Sequence, residues 1–448
     1  MRINQLIIKG YRNLKDINID FPDSNMIAFI GNNGSGKSSI LENIAETFSL
    51  AKDIENASDI YYMFDYTYCI DSNQYRIENE KGTFFHYKNG ARDIRNLKND
   101  LPKVIFTYYA GETKRLNSFS EYFQREYDSY LRTKSDDNID LKFVTSFSLR
   151  DFSLAFFANY VFETTVFAKI KELLGFTEVD EHRIQLHFKK PYWASESGSV
   201  SDRWSARGFN KLFFDKLIQE NEEYGVGPFV EFDSDEGSID LAVGHSDLFR
   251  DLAETPLALY TKLKAMLDSS FLAGITIFVK KDGESIPLSL FSEGEKQLAN
   301  LLMLLDLTKE YKALFLLDEF DAYLHPNWQR DFVKMVSDID IRGQVFFTTH
   351  SSPTISGMKR QNVFIMDNGK ICSARSETFN RSLDEIMEEQ MLVSMRPKVF
   401  TDLEREFRNA VAHNHKDIAQ AKLEQIREIV GDNDPFFITA SIALDRMK

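Results

Sequence analysis

Apolar and polar positions along this chain follow two periods, and the switches between them divide it. Ile3, Leu6, Ile7 and Ile8 form a first apolar run, and Ile17, Ile19 and Phe21 alternate in a second. Both predict strands joined by a turn at Gly10-Tyr11-Arg12-Asn13. Residues 26–30 are wholly apolar and predict a third strand. Ile40, Leu41, Ile44 and Phe48 then fall on one face of a helix. Residues 66–70, 75–77 and 83–87 predict short antiparallel strands, and 104–109 a further apolar strand.

From residue 113 to 270 helical spacing dominates. Phe152, Phe156, Phe157, Tyr160, Phe162 and Phe167 recur within a predicted helix over 147–174. This aromatic stripe reads as helix core, with a base-stacking face as the competing reading. A strand is predicted over 183–190 and a Ser-rich loop over 195–205. The acidic turn at 233–237 reads as solvated rather than metal-binding. No long heptad run occurs, so no extended coiled coil is expected.

Strand and helix alternate again over 271–375, the signature of a parallel sheet. Strands are predicted at 275–279, 286–290, 313–317 and 344–349, and helices at 298–311 and 328–339. The wholly apolar 313–317 suits a strand buried on both faces. Residues 362–367 and 370–374 predict a hairpin around Asn368-Gly369. The remainder is helical, over 404–413, 418–430 and a last helix after the break at Gly431 to Pro435.

Composition sets bounds on this picture. The 448 residues suggest about three domain-sized units, or one large domain with an insertion. Hydrophobic residues at 43% and charged residues at 27% are ordinary for a globular chain, and 38 phenylalanines argue for a filled core. A formal charge of −15 argues against a surface that coats nucleic acid at large, and leaves room for a local basic groove. The two cysteines exclude a disulfide framework and a zinc cluster, and fit a reducing cytoplasm. No apolar signal core and no run of about 18 apolar residues is found, so neither secretion nor a membrane span is expected.

Gly31-Asn32-Asn33-Gly34-Ser35-Gly36-Lys37-Ser38 fits G-x-x-x-x-G-K-[ST] between a predicted strand and a predicted helix, the context that motif requires. Glycines let the backbone wrap phosphate, and the following helix presents its positive end to it. Lys37 has the reach for the β- and γ-phosphates, and the Ser38 hydroxyl is a ligand for Mg²⁺. Asp318 and Glu319 end the apolar strand. Asp318 is the expected second Mg²⁺ ligand, and Glu319 the group that orients or deprotonates water. Ser292 to Gln297 opens a helix. Ser292 with Glu295 fits the capping box S-x-x-E, and the Ser292 hydroxyl and Gly294 N–H are also suited to phosphate. His350 ends the next strand, where a role at the γ-phosphate competes with a structural one. Arg12 turns either toward nucleotide or a phosphate backbone, or into solvent.

These elements, in this order, resemble the ABC-type ATPases of the SMC, RecF and OLD kind. Gly31 to Ser38 is similar to Walker A, Phe291 to Gln297 to the signature motif, Asp318-Glu319 to Walker B, and His350 to the switch histidine. Asp321 to Pro326 resembles the D-loop. The resemblance implies an α/β fold: an ABC-type ATPase head, that is a P-loop NTPase, with a mainly helical insertion and a helical C-terminal tail. Its lobes would span 1–112 and 271–375, with the insertion at 113–270 and the tail at 376–448. It implies ATP and Mg²⁺, with Asn32, Asn33, Gly34, Ser35, Gly36, Lys37, Ser38 and Ser39 on the nucleotide. Ser292, Gly294 and Glu295 of a second copy would complete the site, making a homodimer through an ATP sandwich. Glu319, His350 and Lys37 would be the catalytic groups. No glutamine stands where the family's Q-loop has one, and Glu112 is the candidate in its place.

The insertion is too short for SMC arms and the tail too short for the Toprim nuclease of OLD proteins. The chain is most similar to the PtuA ATPases of Septu and retron-associated antiphage systems. That resemblance implies an HNH-type partner nuclease, with a retron reverse transcriptase and its nucleic-acid product as a further partner. Two other function classes stand beside it. One is a DNA-repair or recombination ATPase of the RecF/SMC type. The other is a ribonuclease, because Arg408 to His413 fits the R-N-x-x-x-H pattern of HEPN enzymes. Five residues apart on a helix, those two side chains point about 140° apart.

Overall fold

The wholly apolar runs of the sequence become the inner strands of a seven-stranded sheet. The structure is a computed structural model and describes residues 1–54, 60–80, 82–93, 95–109, 116–136, 138–194, 203–223, 230–233, 238–243, 246–374, 376–379, 381, 398–431, 434 and 436–447. Glu112, the loop at 195–202, the acidic turn at 234–237 and Asp432 lie outside the described residues. Two compact units are present, Met1–Asn380 and Arg381–Lys448.

In the first unit, strands β1 (Arg2–Lys9) and β2 (Ile17–Asp20) precede β3 (Met26–Gly31), which leads into helix α1 (Lys37–Lys52). Strands β4 (Met63–Ile70), β5 (Asn73–Glu80), β6 (Thr83–Lys88) and β7 (Ala91–Arg92) follow, then β8 (Ile105–Tyr109) and β9 (Val144–Phe147). Later come β15 (Leu314–Asp318), β16 (Gln344–Thr348), β17 (Val363–Asp367) and β18 (Lys370–Ser373). The order β18-β17-β3-β16-β15-β8-β9 makes the central sheet, parallel apart from β18. Every residue of β3, β15 and β16 is buried, as strands covered on both faces must be. β9 comes from the predicted insertion and still joins this sheet in parallel beside β8.

A second, antiparallel sheet runs β2-β1-β4-β5-β6-β7. Helix α1 packs against both sheets. Phe48 meets Tyr68 edge-to-face at 5.3 Å, and the same core holds Tyr66 and Ile77 with Leu316 and Phe346. Burial on nearly every side encloses Glu42 and Asn43, which an amphipathic helix would expose. Each has a partner: Arg12 forms an ion pair with Glu42, and the Tyr66 hydroxyl donates to Asn43 at 2.5 Å. Arg12 therefore answers a buried acid on α1, which neither sequence reading foresaw.

The segment between β8 and β15 carries helices α2 (Asn117–Tyr122), α3 (Gln124–Thr133), α4 (Phe152–Val161), α5 (Thr165–Leu174), α6 (Gly208–Glu223), α7 (Leu248–Leu252) and α8 (Pro256–Asp268). It also carries β10 (Glu178–Lys189), β11 (Val230–Asp233), β12 (Ser238–Val243), β13 (Leu272–Lys281) and β14 (Glu284–Pro287), which form a third sheet in the order β11-β12-β10-β13-β14. The single helix expected over 147–174 is two helices. Glu163 has φ of 46° and Thr164 caps α5 by accepting from Phe167 N, so the helix must restart there. Phe152, Phe156 and Phe157 are buried, which makes the aromatic stripe core.

Among the other boundaries that differ from expectation, two have a local cause. The strand expected over 286–290 stops at Pro287 and continues as a short 3-10 turn, Leu288–Leu290, because proline supplies no N–H to a ladder. The helix expected from 298 begins at Glu293 instead, as α9 (Glu293–Leu307), where the capping box sets its start. Helices α10 (Pro326–Ser337) and α11 (Ser352–Ser356) complete this unit.

Among the described residues, the second unit holds three helices, Lys398–Ala412, Lys416–Val430 and Phe436–Asp445, around Phe400, Phe407, Leu423 and Ile426. Phe436 packs edge-to-face on Phe400 and Phe407. Among the described residues no helix is long and apolar enough to cross a membrane.

Candidate functional site

Three neighbouring parallel strands bring the chemistry together, because β16 lies between β3 and β15 and all three end at one edge. Residues 31–36 leave β3 and turn into α1. Gly36 sits at the helix N-cap with φ of 110°, and a Cβ there would stand 2.8 Å from Leu14 Cδ2. Asn32, Asn33 and Gly34 are exposed at the rim, while Ser35, Lys37 and Ser39 are buried. Two outside groups clamp the loop. Asn13 Nδ2 donates to Gly34 O at 3.0 Å and its Oδ1 accepts from Ser39 at 2.8 Å, and Gly369 N donates to Ser35 O at 2.9 Å.

The Lys37 ammonium donates to Gly31 O at 2.9 Å and Asn32 O at 3.2 Å. Burial lowers its pKa, while the Glu319 and Asp318 carboxylates work the other way. Ser38 Oγ donates to Asp318 Oδ1 at 3.0 Å, and Thr348 donates to the same oxygen. Thr348 Oγ1 in turn accepts from Glu319 N at 2.9 Å. Burial pushes the Asp318 carboxyl up, and the hydrogen bonds from Thr348 and Ser38 oppose that shift.

Glu319 leaves the strand with φ of 50°, a left-handed conformation costly for a residue with a Cβ. Its carboxylate is 3.9 Å from His350 Nε2. Burial, and then the charge of Lys37, hold the His350 ring at a pKa of about 4. The ring is therefore neutral near pH 7, and its contact with Glu319 is not a pair of opposite charges.

Ser292, Gly294 and Glu295 form a separate group. Ser292 N and Oγ both donate to Glu295 Oε2, at 2.8 and 2.7 Å, and Glu295 N donates back to Ser292 Oγ at 3.3 Å. Gly294 lies so close to the loop after β15 that a Cβ would stand 2.6 Å from Tyr323 O. Gln297 ties α9 to the same loop by donating to Phe320 O at 2.5 Å. Among the described residues, no hydrogen bond joins Ser292, Gly294 or Glu295 to the loop at 31–36 or to the acids of β15. Asp321 accepts from Thr349 and Thr354, and His325 caps α10 by accepting from Asn327 N.

Sequence reasoning gave no role to Asn13 or Thr348, and placed Gln297 only as the end of the stretch that opens α9. Thr348 had a signal, because it stands two residues before His350 at the end of a buried strand. Asn13 had none beyond its place in a turn.

The donor set suits a hard divalent cation. A hydroxyl and a carboxylate oxygen meet at 3.0 Å, and among the described residues no cluster of three or more His, Cys, Asp or Glu is arranged to hold a metal. A cation held by so few protein oxygens takes its other ligands from phosphate and water, as Mg²⁺ does.

In the second unit Arg408 donates to Glu404 at 2.6 and 3.1 Å, and the His413 ring bonds the Asn409 carbonyl at 2.8 Å. Each is engaged with the residue four positions before it, and no described hydrogen bond joins the two.

Residues 26–356 match a family model described as "AAA domain, putative AbiEii toxin, Type IV TA system". The chain is 22% identical to the Retron Ec83 probable ATPase of Escherichia coli, over 92% of this chain and 80% of that protein. It is 20% identical to the Retron Vc95 probable ATPase of Vibrio cholerae serotype O1 biovar El Tor, over 94% and 86%. Among solved structures, an SMC head bound to the C-terminal winged-helix domain of ScpA aligns at 15% identity, over 83% of this chain and 97% of that one, with a TM-score of 0.37. The recombination mediator RecF aligns at 15% identity, over 83% and 98%, with a TM-score of 0.35.

Proposed function

This chain belongs to the AAA-domain family that its residues 26–356 match and is an ATPase, and from that premise we propose that it closes on ATP as a homodimer to control a toxic partner in antiphage defence. The observation that carries the catalytic part is the meeting of Ser38, Asp318, Glu319 and His350 at the end of β15 and β16. ATP lies along Asn32, Asn33, Gly34, Ser35 and Gly36, with Ser39 bracing the loop through Asn13. Lys37 exchanges the carbonyls of its own loop for the β- and γ-phosphates. Ser38 and Asp318 would hold Mg²⁺, which would supply charge to neutralise the phosphates. Glu319 takes a proton from water as the water oxygen attacks the γ-phosphorus. The β–γ P–O bond breaks, and ADP and phosphate leave. Neutral His350 orients the water or the γ-phosphate by hydrogen bonding.

The separation of Ser292, Gly294 and Glu295 from the P-loop in one copy supports their use in the other. The Ser292 hydroxyl would leave Glu295 and turn to the partner's γ-phosphate. Contacts made only in the closed dimer give the differential binding that a switch needs. The names of the two retron relatives support a retron-associated defence setting; we place the chain in the cytoplasm and assign it to the PtuA-like branch with an HNH-type nuclease as partner. A reverse transcriptase with its DNA and RNA product fits as a further member of the complex.

The test is capture of Glu319→Gln, which retains ATP and the closed dimer, from its native cells, read by mass spectrometry and a nucleic-acid stain. A stoichiometric nuclease is expected. Long DNA with no protein partner would replace this reading with a repair ATPase. A chain that stays monomeric with ATP in sedimentation would remove the sandwich.

A further inference from the structure

A cavity of about 590 Å³ opens at the other edge of the central sheet. Its lining residues Lys103, Phe143 and Lys312 stand one or two positions before β8, β9 and β15, so it sits at the amino end of β15, whose carboxyl end carries Asp318, and of the parallel strands β8 and β9 beside it. Its size is that of a small-molecule pocket.

The lining carries five lysines, at 52, 98, 103, 142 and 312, against two carboxylates, Glu126 and Asp140. That is an excess of three positive charges in a chain whose formal charge is −15. Lys103 pairs at 2.8 Å with Asp140, one of those two carboxylates; two acids outside the lining answer part of the excess, Asp71 paired with Lys312 and Asp268 at 3.7 Å from Lys142. Lys52 lies 5.2 Å over the Phe143 ring. Burial lowers its pKa; Glu126 opposes this, and Lys98 and Lys103 add to it. Gathering like charges around a concave, partly dry surface is unfavourable unless an anion joins them. Phe143 and Tyr130 add half-buried rings to the wall. Cations beside aromatic faces suit a ligand that is anionic at one end and a flat ring at the other.

We propose that this cavity is a second site, for a nucleoside phosphate, with the phosphate among the lysines and the base against Phe143 and Tyr130. Two structural routes lead from it to the groups around ATP. Helix α1 runs from Lys37 at the P-loop to Lys52 in the cavity wall, about 24 Å. A polar chain runs from Lys142 to Asp268, to Lys264 at 2.7 Å, to Asp151 at 2.9 Å, to Ser148, whose carbonyl accepts from Asn300 of α9 at 2.8 Å. The site is independent of the reading of the ATP centre.

The experiment uses the full chain carrying Lys37→Ala, which silences the P-loop, titrated calorimetrically with AMP, GMP, CMP, UMP and inorganic phosphate. One of the nucleotides is expected to bind at one equivalent and more tightly than phosphate. Adding Lys98→Ala with Lys103→Ala, both exposed, should weaken it about tenfold, and Tyr130→Ala several-fold. A 5′-phosphorylated thymidine decamer that displaces the nucleotide would identify a strand end as the source. One that does not would identify a free nucleotide. Absence of saturable binding up to about 5 mM, equal affinity for phosphate alone, or indifference to the lysine substitutions would overturn the proposal.

Discussion

Ser38 and Asp318 are 280 positions apart in the chain, yet the Ser38 hydroxyl donates to Asp318 at 3.0 Å. The contact exists because β16 lies between β3 and β15, and Leu317 of β15 pairs with Phe347 of β16 in parallel register. The next residues, Asp318 and Thr348, are then side by side, and Thr348 donates to the carboxylate that Ser38 also meets.

Asp318→Asn should separate binding from hydrolysis. The amide keeps the volume and an oxygen for Ser38 and Thr348, and removes the negative charge that favours a divalent cation. ATP binding should persist while Mg²⁺-dependent phosphate release falls by about a hundredfold or more. A phosphate-release assay beside a binding titration checks this. Equal hydrolysis in variant and wild type would remove Asp318 from the site.

His350 should make the folded chain sensitive to acid. Its folded pKa of about 4 lies below the ordinary 6.5. The folded state therefore binds the proton less readily than the unfolded state. Stability from this group is intact above pH 6.5, falls as pH drops from 6.5 toward 4, and changes no further below that. His350→Gln should flatten this limb in melting temperatures measured from pH 7 to 4. An imidazole resonance titrating near 6.5 in the folded protein would contradict the assignment.

Lys264 is buried between Asp151 at 2.9 Å and Asp268 at 2.7 Å. Burial works against its charge, but the two carboxylates outweigh burial and raise its pKa. Lys264→Met would leave two acids without their shared cation, at a cost of about 3–5 kcal/mol. Urea denaturation of the variant should show that loss as a lower midpoint. A midpoint equal to that of the wild type would mean that the triad contributes little.

Much of the site was legible because its motifs are local. The P-loop needs glycines, a lysine and a hydroxyl within eight positions, and Asp318-Glu319 needs only the end of an apolar run. Arg12 was not legible, since its partner Glu42 occupies a face of α1 that an ordinary amphipathic helix would give to water. Val144–Phe147 was not read as a strand of the central sheet, since four residues in a mainly helical stretch carry little periodicity and only the free edge of β8 recruits them.

The sequence by itself determined the strand–loop–helix of the phosphate loop, the acids at the end of a buried strand, and the capping box at Ser292, because each rests on backbone geometry within a few residues. Tertiary structure alone decided that Thr348 bridges Asp318 and Glu319, that Asn13 clamps Gly34, and that five lysines share one cavity. Those contacts follow from strand order and from which edges of the sheet loops must cross, and no local pattern along the chain encodes either.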